Sequence, residues 1–457
     1  MEIKKFRMQN VGRFESIDVE LAPTSNIASN VTIFVGNNGS GKTSILKGLS
    51  TSLSWFVARI KKEKGIGSHI PEQVILNKKS TATIDICIQD DSANISNRYS
   101  NADDYTYHWT IAKTRKARKS AASSSLNDAT ALAEFYKNHL ERNDKASLPL
   151  IAFYPVERVV LDIPLKIKGK HNFFQIDGYD NSLNQGVDFR RFFEWFRERE
   201  DTENESGIPE EMFQKLQTML EKDSDVWKKL SKLKASSRDR QLTAVRNAIS
   251  IFMPGFSNLK VRRKPRLHMS IDKGDETFNV LQLSQGEKSL MALVGDIARR
   301  LAMMNPGLEN PLEGDGVVLI DEVDMHLHPS WQRDIVSRLT NTFPNCQFVL
   351  TTHSPLVISD CKDVLVYSLD NGELDTLPSQ YGADANTVLI NVMDTHARNE
   401  KINEKLNDLY DLINDKKVDE ARNLLNRLVR LLPDSNIELM KAKLMLKKRE
   451  LEIEKNK

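Results

Sequence analysis

The chain has 457 residues, 40% hydrophobic and 28% charged, with a formal net charge of +2. That length suits one large domain with additions, and the balanced charge does not by itself imply a nucleic-acid partner. Cys87, Cys346 and Cys361 are far apart without CxxC spacing, which excludes a disulfide framework or a cysteine zinc site and suits a reducing compartment. Apolar runs fall short of the roughly 18–20 residues a bilayer span needs. The opening MEIKKFRMQN lacks a signal-peptide core. A cytoplasmic protein without membrane contact is expected.

In chain order, Ile3–Met8, Ile17–Leu21, Val31–Val35, Ala82–Gln89 and Tyr105–Ile111 are short apolar or alternating runs, predicted as strands. Lys113–Lys119 (KTRKARK) and the following SAASSS have linker composition. Leu148–Tyr154 is a continuous apolar run suited to a buried central strand. Helices are predicted from about 185 to 250, where Phe189, Phe192, Phe193 and Phe196 share a core-facing side. Val261–Ile271 and Thr277–Leu283 return to strand character. Val317–Ile320, Trp331–Thr340 and Gln347–Thr351 form a strand–helix–strand pattern, the mark of a parallel sheet with crossover helices. In the tail, Val418, Ala421, Leu425, Leu428 and Leu432 keep helical spacing up to Pro433. Asp434 or Ser435 can cap a second helix carrying Ile437, Met440 and Leu444. This resembles one tetratricopeptide-like pair, without a repeat array. Val418–Leu446 can pack on the head or contact an oligomer or partner.

Four motifs carry chemistry. Gly36-Asn37-Asn38-Gly39-Ser40-Gly41-Lys42-Thr43 matches GxxxxGK[ST] between a strand and a helix. Its glycines let backbone N–H groups curl around phosphates, the helix start adds positive potential, Lys42 reaches the β and γ phosphates, and Thr43 ligates Mg²⁺. Ser44 completes the nucleotide-facing set. Gly316–Ile320 ends in Asp321 and Glu322, placed to hold Mg²⁺ and to activate water as a general base, worth about 10²–10⁴ in rate. Pro329 looks like the first residue of the next helix. His326 and His328 have no third metal ligand, so positioning suits them better. Ser284 and Glu287 form a capping box whose tip, with Gln285 and Gly286, also presents an anion-binding helix start. Thr351-Thr352-His353-Ser354-Pro355 puts a histidine at a strand end, where it can sense a γ-phosphate.

Phosphate loop, LSQGEKS, DEVD and TTHSP, in this order, resemble the layout of ABC-type ATPases. DEVDMHLHP and the opening Ile3–Phe6 and Asn10–Phe14 are similar to the RecF-like recombination and overcoming-lysogenization-defect (OLD) branch. Tyr381-Gly382-Ala383-Asp384 and Val388-Leu389 resemble a segment of anti-phage ATPases of the Septu (PtuA) group, with softer likeness in length, Asp103–Arg158 and the tail.

The resemblance implies an α/β P-loop NTPase with an ABC-type head: a mixed parallel sheet plus an antiparallel β part, with a helical insertion and a C-terminal helical segment. The head comprises residues 1–112, 148–180 and 258–390. A basic, Ser-rich insertion (113–147), a helical insertion (181–257) and a helical tail (391–457) complete the chain. It further implies that two copies sandwich two ATP–Mg²⁺, with Ser284, Gln285, Gly286 and Glu287 of one facing Lys42 and Thr43 of the other. Asp324 would also contact nucleotide; Arg13 would do so, or would be an exposed hairpin arginine.

Several features depart from the pattern. Glu287 stands where transporters carry Gln, and YPVERVV follows Phe153 without a Q-loop glutamine. No long heptads separate Lys42 from Ser284, against a Rad50-like arm. No acidic set after Asp360 suggests a nuclease centre, so DNA cutting would fall to a partner, an HNH nuclease in Septu-like systems. The alternatives are a nucleotide-gated scaffold with little turnover and a RecF-like repair ATPase. Lys113, Arg115, Lys116, Arg118 and Lys119, and Arg262, Arg263, Lys264 and Arg266, are either solvated faces or non-specific DNA contacts.

Overall fold

The computed structural model describes residues 1–91, 106–116, 122–156, 173–184, 187, 189–206, 216, 219, 224–227, 229, 238–395, 398–433 and 435–455. Two compact units emerge, Met1–Ala383 and Asp384–Lys457. The division falls just ahead of the boundary expected at 391.

Among its described residues the first unit holds three sheets. Strands β1 (Glu2–Val11), β2 (Phe14–Glu20), β4 (Thr81–Gln89) and β5 (Thr106–Thr114) form an antiparallel sheet of order β2-β1-β4-β5. The second sheet contains β3 (Val31–Val35), β6 (Leu150–Tyr154), β10 (Gly316–Ile320), β11 (Cys346–Thr351), β12 (Leu365–Asp370) and β13 (Glu373–Leu377), in the order β13-β12-β3-β11-β10-β6. All its neighbours run parallel except β13, which pairs antiparallel with β12. Burial separates the two kinds. Every residue of β3, β6, β10 and β11 is buried, as a sheet covered on both faces requires. Along β4 every second residue is buried, so one face is covered. Strands β7 (Phe256–Arg262), β8 (His268–Lys273) and β9 (Glu276–Asn279) make the third, antiparallel sheet.

The described helices of this unit include α1 (Lys42–Lys61), α2 (Asn127–Arg142), α3 (Phe189–Ser206), α4 (Arg240–Phe252), α5 (Gln285–Met304), α6 (Pro329–Thr342) and α7 (Pro355–Ser359). Phe189, Phe192, Phe193 and Phe196 of α3 are buried together with Trp195. Three local expectations are corrected. Val261–Ile271 is a hairpin, not one strand: β7 stops at Arg262 and β8 starts at His268, with Pro265, which cannot donate to a ladder, between them. Thr277–Leu283 divides after β9, where the Asn279 side chain accepts from Leu281 N (3.0 Å) and starts a 3₁₀ turn over Val280–Gln282. The stretch of linker composition that starts at Lys113 begins inside β5, which runs to Thr114, and the insertion 113–147 also holds all of α2. Leu132, Ala133 and Tyr136 of α2 are buried, and the Tyr136 hydroxyl donates to buried Asp90 (2.6 Å). Arg118 and Lys119 lie outside the described residues.

In the second unit, α8 (Ala385–Asn391) precedes α9 (Glu400–Asn414), α10 (Val418–Val429) and α11 (Ile437–Lys455). One core joins Leu406, Leu409 and Ile413 to Ala421, Leu425 and Leu428, and to Leu439, Ala442 and Leu446. The tail is therefore a three-helix cluster, not a two-helix pair. Asn436 caps α11, its side-chain oxygen accepting from Glu438 N (3.1 Å) and Leu439 N (3.2 Å), in place of Ser435; Asp434 is outside the described residues. No helix among the described residues is long and apolar enough to cross a membrane.

Helix α5 is anchored by buried charge. The Asp296 carboxylate accepts from Arg299 (2.6 Å), Arg300 (2.7 Å) and the Tyr154 hydroxyl (3.0 Å). Arg300 also donates to Gly178 O (2.5 Å) and Asp180 O (2.9 Å). Burial opposes ionisation of Asp296, but the two guanidiniums outweigh it and hold the carboxyl below its ordinary range. Asp296→Ala strands both cations in the core, so urea unfolding should show a loss of about 3–5 kcal/mol. A near-neutral result would contradict the anchoring role.

Candidate nucleotide-binding site

Strand register assembles the site. Thr351 of β11 pairs with Phe34 of β3, and Ile320 of β10 pairs with Leu350 of β11. The loop after Val35, the carboxylates after Ile320 and the segment Thr351–His353 thus leave one carboxyl edge of the parallel sheet, where open α/β sheets bind ligands.

In the loop, Gly36 (φ 147°) and Gly41 (φ 113°) adopt conformations that other residues rarely reach. A Cβ at Gly36 would lie 2.2 Å from Leu369 O, and one at Gly41 would lie 2.5 Å from the Phe14 ring. Lys42 begins α1 and folds back, donating to Gly36 O (2.7 Å) and Asn37 O (3.1 Å). Burial lowers its pKa, against the pull of Asp321, Glu322 and Asp324. Asn37, Asn38 and Gly39 are exposed, while Gly41, Thr43 and Ser44 are partly buried. The Ser40 hydroxyl is buried and bonds nothing among the described residues. A phosphate oxygen in the loop would supply its partner, so the cradle fits a nucleotide. Arg13, exposed in the β1–β2 turn, lies against this loop, its Cδ 3.4 Å from where a Gly41 Cβ would sit.

Thr351, named in the sequence only as part of the histidine motif and given no role there, joins the two acids. Its hydroxyl donates to Asp321 Oδ1 (2.6 Å) and accepts from Glu322 N (2.7 Å). Asp321 is buried, whereas Glu322 is partly exposed. Glu322 has a left-handed backbone (φ 47°), as does His326 (φ 63°), each costing about 1–3 kcal/mol that the surrounding bonds must offset. Between them, Asp324 Oδ1 accepts from the Thr352 hydroxyl (2.5 Å) and His353 N (3.4 Å). Gln332 of α6 donates to Leu327 O (3.0 Å) and Asp324 O (3.5 Å), and accepts from the Ser354 hydroxyl (2.7 Å). His353 is half-buried. Burial and Lys42 push its pKa down against the three nearby acids, favouring the neutral ring. His328 caps α6, its Nδ1 accepting from Ser330 N (3.3 Å). No metal-holding group of three His, Cys, Asp or Glu exists among the described residues.

Ser284 and Glu287 form the reciprocal cap of α5: Glu287 N donates to Ser284 Oγ (3.3 Å) and Ser284 N to Glu287 Oε2 (2.9 Å). Lys273 also donates to Glu287 (2.7 Å). Ser284 and Gln285 are exposed. Gly286 rests on the turn after the acids, where an added Cβ would lie 2.4 Å from His326 O. No hydrogen bond joins Ser284–Glu287 to residues 36–44 among the described residues. Of the basic clusters, Arg115 is engaged with Ile75 O (2.8 Å) and Lys79 O (3.1 Å), and Arg263 with Asp201. Arg262, Lys264 and His268 line an open cleft of about 460 Å³.

Residues 31–359 match the family described as "AAA domain, putative AbiEii toxin, Type IV TA system". The chain belongs to this family. It is 35% identical to the "Retron Vc95 probable ATPase" of Vibrio cholerae serotype O1 biovar El Tor, over 78% of this chain and 72% of that protein. It is 32% identical to the "Retron Ec83 probable ATPase" of Escherichia coli, over 98% of this chain and 87% of that protein. A shorter match, 35% identical over 32% of this chain and 22% of that protein, is to "Septu protein PtuA" of Bacillus mycoides (strain KBAB4). The chain is thus an ATPase with an α/β, ABC-type P-loop head, related to retron ATPases and to PtuA.

Thr351→Val removes the hydroxyl that fixes both acids and keeps the shape. ATP turnover should fall on the order of 10–100-fold, while Thr351→Ser retains most of it. Unchanged phosphate release by Thr351→Val would contradict the bridge.

Proposed function

We propose that two copies of the chain sandwich two ATP molecules, each held between the phosphate loop of one copy and the α5 tip of the other. The observation that carries this reading is the tip itself. Ser284 and Gln285 are exposed at a capped helix start, an arrangement suited to an anion, and among the described residues no hydrogen bond ties the tip to its own phosphate loop. Gly36–Ser44 with Arg13 bind the phosphate chain, and Lys42 neutralises its terminal oxygens. Thr43 and Asp321 would hold Mg²⁺, which would supply charge stabilisation to the phosphoryl group. Glu322 takes a proton from the attacking water, and neutral His353 hydrogen-bonds near the terminal phosphate. Ser284, Gly286 and the helix start meet that phosphate from the opposite copy, with Gln285 and Glu287 shaping the tip. Asp324 orients the His353 backbone.

We further propose that sandwich closure regulates a partner nuclease, an HNH enzyme, in anti-phage defence. The names of the relatives, tied to retron and Septu systems, support this setting. The Arg262–Lys264–His268 cleft is the surface on which a DNA backbone would meet this head without reading sequence.

Glu322→Gln tests the reaction. It should bind ATP, lose about 10²–10⁴ in turnover and accumulate as an ATP-dependent pair in light scattering. Turnover at the wild-type rate would refute the assigned base.

A further inference from the structure

The α5 tip and the histidine strand end are joined within one chain. Gly286 sits against His326 O, so close that a methyl group would overlap it. That carbonyl belongs to the turn between Glu322 and Leu327. The side-chain amide of Gln332 grips this turn at Leu327 O (3.0 Å) and, more loosely, at Asp324 O (3.5 Å). Its other end, Oε1, accepts from the buried Ser354 hydroxyl (2.7 Å), the residue next to His353. Ser354 N in turn donates to the Thr352 hydroxyl (3.0 Å), which donates to Asp324 Oδ1 (2.5 Å). The loop of bonds closes on the turn where it began.

We propose that Gln332 is a positioning residue that couples the two nucleotide sites of a pair. This rests on the sandwich reading above. A tip pressed against the partner's nucleotide bears on the turn beneath it. Gln332 passes the displacement to Ser354 and His353, which serve the chain's own nucleotide. Glu322 and His326 in this turn both hold left-handed backbones, an arrangement that persists only while its surroundings enforce it, so the turn answers to the contacts that hold it. Gln332 touches no reacting group, so its effect should appear in communication between sites more than in nucleotide affinity. A coupling claim needs an element whose equilibrium both sites bias, and this turn touches the tip on one side and the histidine segment on the other.

The test is ATP hydrolysis across a range of ATP concentrations by wild type, Gln332→Met and Gln332→Glu. Wild type should be cooperative, its Hill coefficient rising towards about 2, the number of sites. Gln332→Met should fall to about 1, with turnover lower on the order of tenfold and KM within about twofold. It should still pair when combined with Glu322→Gln and ATP. Should Gln332→Met fail to fold, Gln332→Glu carries the same expectation, since it keeps the acceptor for Ser354 and loses both bonds to the turn. A wild-type Hill coefficient in the folded variants overturns the coupling role, as does a non-cooperative wild type. Failure of Glu322→Gln alone to pair with ATP strikes the sandwich reading instead.

Discussion

Everything at the nucleotide site depends on where β11 lies in the sheet. Because it runs parallel between β3 and β10, three segments distant in sequence end at one edge: the phosphate loop, the acidic pair and Thr351–His353. Full burial of these strands holds that placement, since moving any of them would uncover apolar side chains on both faces. The register also sets finer contacts. Thr352 N donates to Phe34 O (3.2 Å) and Val323 N to Thr351 O (2.9 Å), so the strand ends are tied to one another past the sheet.

The electrostatics follow from that gathering. Asp321, Glu322 and Asp324 face Lys42 and His353 in a partly buried setting. Burial favours the neutral forms of the lysine and the histidine, and the acids oppose it. A site of mixed, partly desolvated charge responds strongly to a phosphate chain and a dication, because interactions there are screened less than in water. Thr351 keeps the acids in place while that charge arrives. One hydroxyl serves both neighbours, donating a hydrogen bond to Asp321 Oδ1 and accepting one from the Glu322 backbone N–H.

Much of this was legible in the sequence, for physical reasons. A glycine-rich loop between an all-apolar strand and a helix leaves few other roles for Lys42 and Thr43, and the Ser284–Glu287 spacing is itself a capping geometry. Long-range partnership was not legible. Thr351 and Gln332 are ordinary residues until the fold brings Asp321 and Ser354 beside them. Helix α2 is hard to see in the sequence because a basic, serine-rich flank precedes it. Its buried face is only Ala129, Leu132, Ala133 and Tyr136, with polar residues between them. In the tail, α9 lies inside the segment expected to be helical, but its share in the core is not legible because Leu406, Leu409 and Ile413 are set among many charges. The Asn436 cap was displaced by an equally plausible Asp434 or Ser435.

The central claim, that each nucleotide is shared between a cradle and a tip from different copies, is tested most directly by mixing two defective chains. Both carry Glu322→Gln to prevent turnover. One also carries Lys42→Ala, which spoils its cradle, and the other Ser284→Arg, which blocks its tip. Neither should pair alone with ATP. Their mixture contains one intact cradle facing one intact tip, so light scattering with ATP should reveal a mixed pair. If Ser284→Arg pairs with itself as readily as the parent, or if the mixture never pairs, the nucleotide is not shared in this way.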